Sequence, residues 1–163
     1  SPRVTRKLYI PVSKRPKPYD APHIPLNYRL LRYADILLMY AEVENALGND
    51  GEARCALNEV RRRVDLSEVT ASGTALRDAI RLERRLELAL ENNRLFDLRR
   101  WKEAENVLNG DFYGMNFSGK DNSSFYVRTP YLKRVYKKAY YWFPIHQSEI
   151  DKNDKLVQSP YWN

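Results

Sequence analysis

Residues 80–101 read IRLERRLELALENNRLFDLRRW, with six arginines (Arg81, Arg84, Arg85, Arg94, Arg99, Arg100) and four acids (Glu83, Glu87, Glu91, Asp97). Such a stretch is either a basic surface for nucleic acid or one charged side of a packed helix. On a helical wheel of 100° per residue, Ala75, Ala79, Leu82, Leu86, Ala89 and Leu90 form an apolar arc, with Arg77, Arg81 and Arg84 opposite. Glu83, Glu87 and Glu91 fall in one row at i, i+4 and i+8 along the border of that arc. Like charges stacked this way repel. The row is stabilising only if arginines from neighbouring helices lie against it, and Arg32, Arg61, Arg62, Arg94 and Arg99 are the candidates. The planar guanidinium fork suits that role because it meets a carboxylate with two parallel hydrogen bonds. Glu91, Arg94, Asp97 and Arg100 continue at i, i+3 spacing with alternating sign. The stretch therefore reads as a charge-paired seam between helices.

Charge distribution along the chain agrees. The net charge is +7, but residues 21–110 hold 14 Lys/Arg against 15 acids. The excess lies in the flanks: six Lys/Arg and one acid in 1–20, eight Lys/Arg and five acids in 111–163. An arginine-rich centre that is electrically balanced argues against nucleic acid. The chain has 163 residues, 43% hydrophobic and 30% charged, enough for one domain with a core and unlike a disordered tail. No apolar run reaches the roughly 20 residues that span a bilayer. No signal peptide is visible, and a chain that begins at Ser1 reads as a processed or excised piece. The single cysteine, Cys55, lies in a helical pattern and is expected to be a small buried core residue.

Six of the nine prolines fall in residues 1–26, which predicts an extended lead-in. Leu30, Ala34, Leu37, Leu38 and Ala41 then recur at helical spacing, with Asn27 as a cap and Gly48 as a left-handed stop. Between Tyr33 and Ala41 only Asp35 is polar, so this helix should be covered on more than one side, by another chain or segment. A second helix, Gly51 to about Arg63, turns Ala53, Ala56, Leu57 and Val60 inward. The short break between the two predicts an antiparallel hairpin. A third helix, capped by Ser72 or Thr74, ends near Asn92-Asn93. A fourth runs from Arg94 to about Leu108 and stops at Asn109-Gly110. The expected fold is mainly α: two tetratricopeptide-like hairpins over 27–110, then a loop-rich, aromatic-rich closing segment over 111–163 with little or no sheet, beyond one short strand or hairpin.

NYRLLRYADILLMYAEVENALG, ALNEVRRRV, AIRLERRLELALENNRLFDLRRW and FPIHQSEIDKNDKLVQSPYW, in that order over residues 27–162, resemble the C-terminal portion of the SusD/RagB family. Asn92 stands where the family usually has glycine, and His146 where a second proline is usual. The resemblance implies a helical nutrient-binding lipoprotein of the bacterial outer membrane. Such a protein sits on the cell surface and hands glycans, or in some members peptides, to a SusC-like TonB-dependent transporter. It implies binding without catalysis, no cofactor, and membrane contact only through a lipid anchor that this chain does not carry. The family's longer N-terminal part is absent from the match.

The residues themselves add little catalytic chemistry. His23 and His146 lie in proline-flanked segments far apart in sequence, an unfavourable setting for a metal pair; no GxxxxGK phosphate loop occurs, and no serine elbow is visible. Residues 112–143 hold 11 of the 20 aromatics, interleaved with Asn, Asp and Gly. Rings can stack on the apolar face of a sugar while short amides meet its hydroxyls, which makes Tyr113, Asn116, Phe117, Asp121, Asn122, Tyr126 and Tyr131 the candidate ligand residues. The same rings could instead pin a long loop to the helices, and Trp101 and Trp142 read as such anchors. Two further classes remain open on the residues alone: a helical-repeat adaptor that binds peptide in a groove, and a nucleic-acid binder that uses the basic flanks.

Overall fold

The computed structural model describes residues 30–115 and 128–162. It is mainly helical and divides into two units, 1–93 and 94–163. The lead-in up to residue 29, including Asn27 and His23, lies outside the described residues.

The first unit holds α1 (Tyr33–Ala46), α2 (Asp50–Arg62) and α3 (Gly73–Glu87). Its core is Leu38 and Ala41 of α1, Ala53, Ala56, Leu57 and Val60 of α2, and Leu76 and Ile80 of α3. Alanines at 41, 53 and 56 carry only a Cβ, which lets the helices approach closely. α1 and α2 close in the same way. Gly48 (φ +84°) and Asp65 (φ +56°) take left-handed backbone just past each helix end. At the first, Asn49 and Gly48 donate to the Glu44 and Asn45 carbonyls; at the second, Leu66 and Asp65 donate to those of Arg61 and Arg62. This is the Schellman pattern, which satisfies the last carbonyls of a helix.

The connector to α3 is held by side chains. Buried Asn58 acts like a strand edge: its Oδ1 accepts from the Val69 N–H at 2.8 Å and its Nδ2 donates to the Val69 carbonyl at 3.1 Å. Ser72 occupies the N-cap position of α3, but its side chain makes no cap bond. Its hydroxyl accepts instead from Arg54 at 2.9 Å, while the Asp50 carboxylate of α2 accepts the Gly73 N–H at 2.6 Å and the Asn45 amide at 2.8 Å. The Gly73 N–H, and after it the Asn45 amide, hold the Asp50 carboxyl below its ordinary value of 3.8. A depressed carboxyl stabilises the fold fully above its unfolded value and loses that contribution as pH falls through the folded one. Asp50→Asn should therefore flatten the decline of melting temperature below about pH 4. Melting curves from pH 6 to pH 2 check this; parallel curves for the two proteins would contradict it.

α3 faces inward with a side that composition does not select. The leucine stripe Leu82, Leu86 and Leu90 is exposed, whereas Leu76, Ile80, Glu83 and Arg84 are buried. The inward charges reach carboxylates and guanidiniums on other elements. Arg84 Nη1 meets Asp35 Oδ1 at 2.9 Å, with side chains 5% and 11% exposed. Arg61 Nη1 meets Glu83 Oε2 at 2.6 Å. Arg32, just before α1, grips two carboxylates: Nη1 to Glu87 at 2.6 Å and Nε to Glu91 at 2.9 Å. Its Nη2 adds a bond to the Glu87 carbonyl at 2.6 Å. Burial works against the Arg32 charge, but bonds to Glu91 and Glu87 outweigh it and hold the guanidinium above its ordinary value. Arg63 also reaches Glu87, at 2.9 Å. Arg84, placed by the wheel on the outer side, is thus an inner residue: a carboxylate on α1 offsets its desolvation. Cys55 corrects the expectation of a buried thiol. It is exposed, because the inward positions of α2 are 53, 56, 57 and 60.

α1 leaves Tyr33, Ile36, Tyr40, Val43 and Leu47 exposed. Their spacing places them in one stripe along the helix. It is the apolar side for which the sequence called for a cover.

In the second unit the expected fourth helix is two, α4 (Asn93–Arg100) and α5 (Ala104–Leu108). Lys102 takes φ +59°, and Glu103 and Lys102 donate to the Leu98 and Arg99 carbonyls, the same Schellman closure without a glycine to announce it. β1 (Gly110–Met115) and β2 (Arg128–Arg134) then pair antiparallel, and a 3-10 turn (Lys138–Tyr141) and α6 (Gln147–Ile150) follow. Asn92 has φ +63°, as its place at a helix break suggested, and Leu90 shares that conformation at φ +67°.

Candidate functional site

The β1–β2 hairpin rises from a braced base. Asn109 bonds Tyr136 twice: Oδ1 accepts the Tyr136 N–H at 2.6 Å and Nδ2 donates to its carbonyl at 3.1 Å. Behind it the aromatics hold the closing segment. The Tyr136 ring meets Tyr140 and Tyr141 edge-on, with centroids 5.6 and 5.4 Å away. The Glu105 N–H donates to the Tyr141 hydroxyl at 3.3 Å. Arg99 donates to the Tyr141 carbonyl and lies 4.5 Å over the Phe143 ring. Trp162 Nε1 donates to the Ala139 and Trp142 carbonyls at 2.9 and 3.0 Å. Gln158 pairs with both backbone groups of Ile145. His146 caps α6, accepting the Ser148 N–H on Nδ1. The Tyr136, Tyr140, Tyr141 and Trp162 rings are thus anchors, whereas Phe143 and Trp142 are exposed; Trp142, with Lys102 at 5.1 Å, is not the buried anchor the sequence suggested. Trp101 lies between Arg94 at 5.8 Å and Arg100 at 4.9 Å.

The hairpin is different. Every residue of β2 is exposed, and on β1 Phe112 and Tyr113 are exposed as well. Register runs Phe112 to Leu132 and then Tyr113 to Pro130, so Tyr131 is the extra residue of a bulge. A bulge leaves one residue unpaired and twists the strand, which accommodates the missing donor of Pro130 and turns Tyr131 out of the ladder. Tyr131 is 79% exposed. A Cβ built on Gly114 would stand 3.8 Å from that of Tyr131, an ordinary contact, which places the two positions on the same face of the hairpin. Arg128 lies 3.8 Å over the Tyr113 ring, and Arg134 lies 5.1 Å over Phe112.

Of the candidate ligand residues, Tyr113 and Tyr131 both lie on this hairpin, on opposite faces of it. Asn116, Phe117, Asp121, Asn122 and Tyr126 lie outside the described residues. Of the charged seam, Arg32, Arg61, Glu83, Glu87 and Glu91 meet across the first unit, and Arg62 faces Glu68 at 3.6 Å on the surface. Asp97 and Arg99 belong to the second unit with Arg94; there Asp97 is buried and pairs with Arg100 at 3.0 Å. Asp35, Asn58, Arg63 and Asp50 are partners that sequence reasoning misses. The one available signal is Asp35, a lone acid in an apolar helix segment. Among the described residues no cluster of His, Cys, Asp and Glu could hold a metal ion, and no helix is long and apolar enough to cross a membrane.

Comparison with known proteins places these features in a family. The SusD-like protein P38 of Formosa agariphila is 39% identical over 109 residues, 60% of this chain and 22% of that protein. A solved SusD-like protein from Bacteroides fragilis superposes with a TM-score of 0.77 at 34% identity, over 83% of this chain and 26% of the other. The surface glycan-binding protein A of Bacteroides uniformis matches with a TM-score of 0.55 at 33% identity, over 82% of this chain and 27% of its own. The chain thus spans about a quarter of the length of these relatives. The family model described as the SusD family matches residues 5–162, nearly the whole sequence, and the chain belongs to the SusD family.

Proposed function

We propose that the protein carrying this chain captures extracellular glycans, or related nutrient polymers, at the bacterial outer-membrane surface and passes them to a SusC-like TonB-dependent transporter. The observation that carries this reading is the family match over residues 5–162. A relative named as a surface glycan-binding protein, 33% identical over 82% of the chain, supports the ligand class. On this reading the protein binds and releases without turnover, and a lipid anchor holds it to the membrane. The described residues would contribute the exposed rings of the hairpin. Tyr131 offers a flat apolar surface to the C–H face of a sugar, and the bulge aims it outward. The exposed stripe on α1 and the leucines of α3 would be covered by the remainder of a longer polypeptide, since these relatives are roughly three times this length.

The test is a calorimetric screen of the full-length protein against neutral and acidic polysaccharides, with chromatography of each mixture after incubation. Expected are reversible binding to at least one glycan, no shortened product, and co-isolation with an outer-membrane transporter. Release of shorter sugars would overturn the reading. So would the absence of glycan affinity together with the absence of a transporter. Binding only to peptides would favour the helical-repeat adaptor instead.

A further inference from the structure

We infer that the β1–β2 hairpin takes an anionic polymer, a glycan bearing carboxylate or sulfate groups. This rests on the glycan-capture reading and names the ligand class for the same site. The arginines of the first unit show what an internal partner looks like here: Arg32, Arg61, Arg63 and Arg84 each meet a carboxylate within 3 Å. The hairpin is built otherwise. Residues 128–138 contain Arg128, Lys133, Arg134, Lys137 and Lys138 and no acid. Among the described residues no carboxylate pairs with Arg128, Lys133 or Arg134. The single acid of β1, Asp111, stands opposite Lys133 in the register. The connecting residues 116–127 add one lysine and one aspartate, which leaves the balance positive.

The two arginines rest on rings rather than on acids. Arg128 lies 3.8 Å over Tyr113 and Arg134 lies 5.1 Å over Phe112, so each ring face steadies a guanidinium. Contact through the face leaves the N–H edge of the fork available, the edge that meets a carboxylate or sulfate bidentately. Phe112 and Tyr113 are successive residues of β1 and point to opposite faces, so Arg128 and Lys133 lie on the Tyr113 face of the hairpin and Arg134, with exposed Tyr131, on the other. An acidic glycan along either face meets a cation beside an exposed ring: Arg128 and Lys133 beside Tyr113, or Arg134 beside Tyr131. A neutral glycan would use the rings and gain nothing from the positive charge.

The experiment titrates the full-length protein with polygalacturonate, alginate and chondroitin sulfate, and with starch, laminarin and xyloglucan as neutral probes. The protein should bind at least one acidic member. Raising salt from about 50 to about 500 mM should weaken that binding several-fold, since exposed charges are screened. Arg128→Gln/Lys133→Gln/Arg134→Gln should weaken it at least about tenfold while circular dichroism and melting temperature stay unchanged. Should that variant melt lower, Lys133→Glu, which leaves both arginine–ring contacts in place, reads the same charge effect. The uronate arms and the sulfate arm show which anion is preferred. Binding to neutral glycans alone, indifferent to salt and to the variants, overturns the inference and leaves glycan capture standing. An acidic glycan held equally well by the variants overturns the assignment to the hairpin. Intact glycan binding with lost transporter association in the variant makes the patch a protein contact and likewise overturns it. No affinity for any glycan overturns both readings.

Discussion

Arg84→Met should lower the free energy of unfolding by about 3–5 kcal/mol. The substitution keeps an apolar stem of similar reach and removes only the charged head. That head meets Asp35 at 2.9 Å, and the Asp35 side chain is only 11% exposed. The variant therefore leaves a carboxylate buried without this counter-ion. An ion pair replaced whole by apolar groups behaves differently, because both desolvation costs vanish together. Asp35→Leu combined with Arg84→Met should then recover most of the loss. Urea unfolding of the wild type, both single variants and the double variant gives the coupling directly. A loss below about 1 kcal/mol, the range of exposed pairs, would show that the pair is in contact with water.

Ile80→Ala should cost about 2–5 kcal/mol, and Leu86→Ala no more than about 0.5 kcal/mol in this chain. Ile80 is 0% exposed within the core, while Leu86 is 61% exposed on the leucine stripe. A wheel drawn from apolar content ranks Leu86 with the inner residues, so the two accounts of α3 differ at this position. The difference has a physical basis. Cross-helix ion pairs let Glu83, Arg84 and Glu87 occupy inward positions that leucines would otherwise fill. The same comparison in the full-length protein adds information: Leu86→Ala should become costly there if the rest of the polypeptide packs on the stripe. Unfolding midpoints of the two variants, in the chain and in the full-length protein, decide this. Equal losses in the chain would contradict the inward face assigned to α3.

Helix content and the middles of α1, α2 and α3 were legible because their signals are local: the periodicity of Leu38 and Ala41, the small residues at 53 and 56, and Gly48 as a stop. Two ends were not, since α1 starts at Tyr33 with Arg32 rather than Asn27 at its N-cap, and α3 stops at Glu87 rather than near Asn92. The direction in which α3 faces was not legible. It is decided by Asp35, 49 residues away in sequence from Arg84, and a wheel does not weigh that distance. The expected long fourth helix is broken at Lys102, a residue with no intrinsic preference for left-handed backbone, so composition gave no warning. Asn92 takes the left-handed backbone expected of it, but α3 has already ended at Glu87 and Leu90 is left-handed as well. The hairpin was foreseen only as one short strand or hairpin, since Pro130 and the bulge at Tyr131 interrupt the alternation that marks strands. Aromatic content drew attention to Tyr113 and Tyr131, but composition alone does not separate exposed rings from anchors such as Tyr136, Tyr141 and Trp162. The hydrogen bonds of Tyr141 and Trp162 make that separation.

The most direct test of glycan capture through this region is a calorimetric titration of wild-type and Tyr131→Ala full-length protein with the glycan that the wild type binds. Tyr131 is 79% exposed and lies outside the core, so its truncation should leave the melting temperature within about a degree. Loss of one stacked ring should weaken affinity about tenfold, with no sugar product released in either titration. Unchanged affinity, or a Tyr131→Ala protein that binds weakly only because it unfolds, would contradict the account.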